Sequence, residues 1–305
     1  MKAIKCKDLI KRYRRKKALD NLNLSIEENR IVGLAGRNGA GKTTLMKILA
    51  GLLKEQSGIV EVYGRRPFNN LFVSANTIYI DDQMNFPSPL TLIEILEEGQ
   101  RFYYNWDHEL ALSLFNYFGF HPKQRHNELS KGKESTFNMI VGLASRSPLT
   151  IFDEPTTGMD AAVRKDFYRA LLKDYLNHPR TILLSTHYLE EMEDLLEEVV
   201  LMHNGSIFFH MPMDDLKTYS IGLTGKRTVL EPWAQEKEIF YTHDTGVDDR
   251  YLVIKNNLSD KEVEDMKQAG IRFSPVSASD LCVYVTDEKG RERGVDDVFN
   301  RSADR

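Results

Sequence analysis

Gly36-Arg37-Asn38-Gly39-Ala40-Gly41-Lys42-Thr43 follows the pattern G-x-x-x-x-G-K-[ST], and Thr44 continues it. Glycines at this spacing let the backbone curl so that several N–H groups converge on phosphate oxygens, and a helix opening at Lys42 adds its positive dipole end. Lys42 is then placed to reach the β- and γ-phosphates of a nucleotide, and the Thr43 hydroxyl to ligate Mg²⁺. A second run, Leu149-Thr150-Ile151-Phe152-Asp153-Glu154, is apolar and ends in two acids. Adjacent carboxylates at the end of a buried strand suit chemistry: Asp153 to hold Mg²⁺ through water, Glu154 to orient and deprotonate an attacking water.

Such residues need strands that stop at the site and helices that begin there. Arg30 to Ala35 reads as a short apolar strand before the glycine-rich turn, and 42–50 as the helix after it. Strands at 22–26 and 58–63, helical spacing over 91–118 with a break near Asn105–Asp107, and a helix over 133–145 follow. Strand 149–153, helix 161–176, strand 181–185, helix 188–196 and strand 198–203 then alternate, and the Asn204-Gly205 turn leads into strand 206–210. This alternation predicts an α/β fold, a parallel sheet covered by helices. Gly222 and Gly225 read as a linker into a small α+β appendage with strands at 237–241, 251–255 and 281–286 and a Ser259-capped helix over 259–268. The charged stretch 287–305 reads as a flexible tail.

The 305 residues are 41% apolar and 28% charged, with a net charge of −4. That composition excludes wholesale disorder and a membrane-embedded chain, and is too mildly charged to point to nucleic acid. The opening MKAIKCKDLI lacks the apolar core of a signal peptide, so the chain is expected to start in the cytosol. Cys6 and Cys282 cannot by themselves build a disulfide framework or a zinc site. The basic cluster from Lys2 to Lys17 reads as a solvated hairpin face, the sharper readings being attraction to a polyphosphate or to an anionic membrane surface.

Within 1–218 these residues occur in an order that resembles the ATP-binding subunit of ABC transporters. The phosphate loop is followed by Gln83 in IYIDDQMNF (the Q-loop), Leu129-Ser130-Lys131-Gly132-Lys133 (the signature), Asp153-Glu154, Gly158-Met159-Asp160 (the D-loop) and Ser185-Thr186-His187 (the switch histidine). Tyr13 resembles the aromatic residue that stacks on adenine. The resemblance implies a P-loop ATPase with a helical subdomain at roughly 84–146, working as a head-to-tail dimer with two ATP molecules at the interface. Ser130 and the Gly132 backbone would touch the γ-phosphate held by the opposite subunit. Gln83 would approach Mg²⁺ and the attacking water, and His187 would bond the γ-phosphate and fix Glu154. Lys131 and Lys133 depart from the commonest signature, which has glycine and often glutamine there; Gly132 is retained.

Only 86 residues separate Thr43 from Ser130, and there is one phosphate loop. This distinguishes the chain from coiled-coil repair ATPases and from two-cassette translation factors. Arg101 to Asp107 and Ser277 to Tyr284 resemble a bacterial exporter subgroup associated with antimicrobial peptides and peptide export. The resemblance implies a peripheral subunit at the cytoplasmic face of the cell membrane, docked on a membrane-spanning permease through roughly residues 84–106. There the cluster Phe102, Tyr103, Tyr104 and Trp106 is either subdomain core or groove. The alternative function is a nucleotide-gated regulatory protein that dimerises on ATP with little turnover. The expected appendage, 219–286, has no assigned role.

Overall fold

A computed structural model describes residues 1–14, 16–186, 189–246 and 248–286. The expectations for His187 and for the tail 287–305 lie outside these residues. The chain divides into two compact units at His210/Met211, a little ahead of the expected 218/219 boundary.

The first unit opens with β1 (Lys2–Tyr13) and β2 (Lys16–Glu27). β3 (Ile31–Ala35), α1 (Lys42–Leu49), β4 (Ser57–Val62), α2 (Leu71–Ala75) and β5 (Thr77–Asp81) follow. β1 pairs antiparallel with both β2 and β4. Ala3, Ile4, Cys6 and Leu9 are buried while Lys2, Lys5 and Lys7 are exposed, so much of the basic cluster is the solvated face of a strand. Burial pushes the Cys6 thiol up to about 12, which makes it an inert core residue.

Next come α3 (Leu92–Phe102), α4 (His108–Tyr117) and α5 (Lys131–Ala144), then β6 (Leu149–Asp153), α6 (Ala161–Asn177), β7 (Thr181–Ser185), β8 (Glu198–His203) and β9 (Ser206–Pro212). A six-stranded sheet has the order β5-β6-β7-β3-β8-β9. Its first five strands are parallel. β3, β6 and β7 are buried at every position, as expected of parallel strands covered on both faces. The helical break falls where it was expected. α3 starts in a capping box of Thr91 and Glu94, and the Asp107 side chain caps α4 by accepting from the Leu110 N–H. The expected helix over 188–196 is reduced to a 3₁₀ turn, Leu189–Met192. The Leu195 and Leu196 N–H groups both return to the Met192 carbonyl, and Leu196 packs over Gly33 before the chain enters β8.

The second unit contains α7 (Met213–Thr218), β10 (Ser220–Lys226), α8 (Arg227–Ala234), β11 (Ile239–Asp244), β12 (Asp249–Lys255), α9 (Asp260–Gln268), β13 (Arg272–Pro275) and α10 (Ala278–Thr286). From β10 to β13 the order is β-α-β-β-α-β, in an antiparallel sheet β11-β12-β10-β13. That is the ferredoxin-like, split βαβ arrangement. Two expectations fail here. The segment read as a linker is β10, an inner strand of this sheet, and Gly222 is there because the Tyr251 ring and the Ser274 hydroxyl occupy the space of a side chain. The segment 281–286, read as a strand, is helical. The Ser277 hydroxyl accepts from the Asp280 N–H, and Ala278, Leu281, Cys282 and Thr286 form a buried face at helical spacing.

Candidate functional site

β3, β5, β6 and β7 all point their C-terminal ends to one edge of the sheet. The register sets Asp81 of β5 beside Asp153 of β6, and Asp153 beside Ser185 of β7. The glycine-rich turn leaves β3 at the same edge. Gly36, Gly39 and Gly41 all have positive φ, and a side chain at Gly36 or Gly41 would run into the Met202 or Ala18 carbonyl. The turn is closed by the Ala40 N–H donating to the Arg37 carbonyl, and is anchored by the Gly205 N–H donating to the buried Ala40. α1 then begins at Lys42.

These parts surround a cavity of about 450 Å³. It brings together Asn38, Gly39, Gly41, Lys42, Thr43 and Thr44 from the loop and α1, and Asp153 and Glu154 from the end of β6. Gln83 and Tyr13 line it as well. Gly36 and Ala40 shape the loop from behind. The Lys42 ammonium is buried, donates to the Gly36 carbonyl at 2.6 Å and lies 3.8 Å from a Glu154 oxygen. Burial holds it below the usual lysine range, opposed by the charges of Glu154 and Asp153.

Asp153 is buried and accepts from the Ser185 hydroxyl at 2.7 Å and from the Tyr79 hydroxyl at 2.8 Å. Ser185 Oγ in turn accepts from the Glu154 N–H at 2.8 Å. Glu154 has a φ of 50°, in the left-handed region that non-glycine residues avoid. This bend carries its half-exposed carboxylate to the cavity while Asp153 stays inside. Gln83 follows Asp81, whose carboxylate accepts from the Gln83 N–H at 3.2 Å. A hydroxyl at Thr43 and a carboxylate at Asp153 are hard oxygen donors in the same cavity, the donor type Mg²⁺ takes.

Tyr13 is about half exposed at the rim, with the Lys11 ammonium 5.7 Å from its ring centre. Ser130 and Gly132 do not line the cavity. Ser130 is exposed at the start of α5, and Gly132 packs so closely on the Gly158 carbonyl that a side chain could not fit. The aromatic cluster divides. Tyr103 and Trp106 stack at 6.1 Å and Trp106 fills the space beside Gly99, whereas Phe102 and Tyr104 are 77% and 101% exposed.

Sequence reasoning missed several participants. Tyr79 holds Asp153, and its own ionisation is pushed up by burial and by that carboxylate. Lys16 and Lys47 line the cavity, and Lys47 lies 3.6 Å from Asp81. Lys16 belongs to the basic cluster, and its ammonium sits beside Gly39. The alternation of Tyr79 with Ile78 and Ile80 in TIYID was the available signal; only strand order shows that it faces Asp153.

The family model described as ABC transporter matches residues 19–157. The bacitracin transport ATP-binding protein BcrA of Bacillus licheniformis is 31% identical over 217 residues, covering 70% of this chain and 71% of the relative. The high-affinity zinc uptake ATP-binding protein ZnuC of Bacillus subtilis is 29% identical over 67% of this chain and 93% of its own. A solved ATP-binding subunit of an ABC transporter superposes with a TM-score of 0.63 at 25% identity, covering 70% of this chain and 92% of that one. With the phosphate loop, the paired acids and the cassette fold assembled at one sheet edge, the chain belongs to the ABC transporter family as an ATP-binding ATPase subunit.

Proposed function

We propose that this chain is the ATP-hydrolysing motor of an exporter for peptides, antimicrobials or similar amphipathic substrates, working at the cytoplasmic face of the membrane with a separate permease. The observation that carries the motor reading is the pairing of Asp153 and Glu154. One carboxylate is buried and doubly hydrogen-bonded, and the other is bent into the cavity 3.8 Å from Lys42.

In this reading the loop N–H groups and Lys42 hold the β- and γ-phosphates, and Tyr13 stacks on the base. Thr43, Asp153 and Gln83 would hold Mg²⁺, which when bound neutralises charge building on the phosphates. Glu154 orients the attacking water and takes its proton as the water oxygen bonds the γ-phosphorus and the bond from that phosphorus to the bridging oxygen of the leaving ADP breaks. The role of His187, fixing Glu154 and bonding the γ-phosphate, rests on its place in the sequence. Ser130 and Gly132 act on the nucleotide of a second ATPase subunit, which their position outside the cavity supports. Exposed Phe102 and Tyr104 are the anchors for a permease helix, a helix-in-groove contact.

Similarity to a bacitracin transport subunit supports an antimicrobial cargo. Similarity to a zinc uptake subunit makes direction a matter for measurement. Glu154→Gln should keep ATP binding and lose phosphate release by about 10²-fold or more. Equal, slow release by both proteins would favour the nucleotide-gated regulatory reading instead. With the co-purified permease in vesicles and ATP supplied outside, export moves substrate inward. Outward movement would refute the exporter assignment.

A further inference from the structure

Lys131 occupies the first position of the 14-residue helix α5, where the helix dipole disfavours a cation. Contacts from two other loops hold it there. Its ammonium donates to the Asp82 main-chain carbonyl and lies 3.9 Å from the Asp82 carboxylate and 3.5 Å from Glu134. Its stem lies against the D-loop, close enough that a side chain at Gly158 would come within 3.2 Å of Lys131 Cγ. Asp82 stands between Asp81, which pairs with Lys47, and Gln83.

A second, apolar tie joins the same two regions. Phe86, three residues beyond Gln83, meets His126 edge-on at 5.0 Å and Phe137 of α5 at 5.9 Å. The start of α5 is also fixed to the D-loop by the contact of Gly132 with Gly158 and by the Ser135 hydroxyl donating to the Thr157 carbonyl at 2.8 Å. Lys131 is therefore the one residue among these whose side chain touches both the Asp82–Gln83 turn and the D-loop.

We propose that Lys131 is a positioning residue that couples the two ATP sites of the dimer through a single chain. The inference rests on the composite-site reading above. In that arrangement Gln83 serves the nucleotide held by its own chain, while Ser130, next to Lys131, serves the nucleotide of the partner. A shift of Gln83 on ATP binding moves Asp82, and the ammonium carries that shift to the start of α5 and so to the opposite site. Glycine at this position has no side chain to make the link. Contacts between exposed ionic groups contribute little to folding, so loss of the link changes communication while leaving the fold in place.

The test is the ATP dependence of steady-state phosphate release by the full chain, at protein concentrations that keep the dimer populated. Wild type and Lys131→Arg should show a Hill coefficient clearly above 1. Lys131→Ala should fall to about 1, with an unchanged melting temperature and less than about a threefold change in half-saturating ATP. A coefficient unchanged in Lys131→Ala overturns the coupling. So does a large rise in half-saturating ATP with cooperativity intact, which would make Lys131 a direct phosphate ligand. A non-cooperative wild type overturns it as well. The underlying reading is checked separately: Glu154→Gln with ATP must sediment as a dimer, and failure there removes the composite site itself.

Discussion

Asp153 shows how a single buried carboxylate is held. A carboxylate inside a sheet edge is costly to desolvate unless donors meet it, and here two hydroxyls do. Ser185 also receives the Glu154 N–H, so one hydroxyl locks both acids in place and supports the left-handed backbone at Glu154. Tyr79→Phe keeps the ring beside Lys47 and deletes the hydroxyl that donates to Asp153 and also interacts with Asp81. A hydrogen bond to a charged group contributes about 1.5–3 kcal/mol, so the nucleotide-free variant should lose stability in that range. Denaturant midpoints at unchanged slope measure this, and a midpoint identical to wild type would show that the Tyr79 bond adds nothing. The phosphate loop and the two acids were legible in sequence because each depends on local residue types at fixed spacing. Tyr79 and Ser185 were not legible as their supports, because that relation exists only once β5, β6 and β7 lie side by side.

Between residues and domain stands the segment from His126 to Lys131. His126 is buried, its Nε2 is 2.8 Å from Asn138 Oδ1, and Phe86 and Phe137 flank the ring. Burial lowers its pKa from 6.5; Asn138 and Glu134 oppose the shift and Lys131 adds to it. In the unfolded chain the imidazole takes up a proton near pH 6.5, and in the folded chain only at lower pH. As pH falls through 6.5 the unfolded state therefore binds more protons and stability is lost, while above it this residue adds no pH dependence. His126→Gln should flatten that part of the profile. The drop in denaturation midpoint between about pH 7.5 and about pH 5.5 should be smaller than in wild type. An equal drop would place the sensitivity elsewhere. The same scale shows where sequence patterns mislead. Gly222 and Gly225 looked like punctuation, yet β10 needs a small residue under Tyr251. Leu281-Cys282-Val283-Tyr284 has strand-forming residues, yet a serine cap and a one-sided apolar face make it helix. The parallel strands β3, β6, β7 and β8 were legible because they are short, apolar and regularly spaced, whereas β5 and α2 went unread and the helix expected over 188–196 is a 3₁₀ turn. In the smaller unit the helical and strand signals are brief, and pairing decides between them.

At the scale of the molecule, a single chain holds a complete phosphate loop and acid pair, but its signature lies outside the cavity they form. Gly132 has a task within its own chain, admitting the Gly158 carbonyl, so its presence alone does not demonstrate a contact across subunits. Ser130 is the sharper test. It is exposed, its side chain makes no cap bond to the α5 backbone, and a larger side chain there can be accommodated by the isolated chain. With hydrolysis blocked by Glu154→Gln, the composite-site proposal expects ATP to draw two chains together and ADP not to, because ADP lacks the γ-phosphate. Adding Ser130→Arg should abolish the dimer by placing bulk at the interface, while ATP still raises the melting temperature of the monomer through its own loop. Moderate salt serves as the control, because it screens any nonspecific attraction of nucleotide by the basic face of β1 and β2 beyond about 10 Å at 0.1 M. Sedimentation of both proteins with ATP and with ADP decides the matter. A dimer that forms equally in ADP, or that survives Ser130→Arg, would assign association to another surface and leave residues 129–133 as a structural loop.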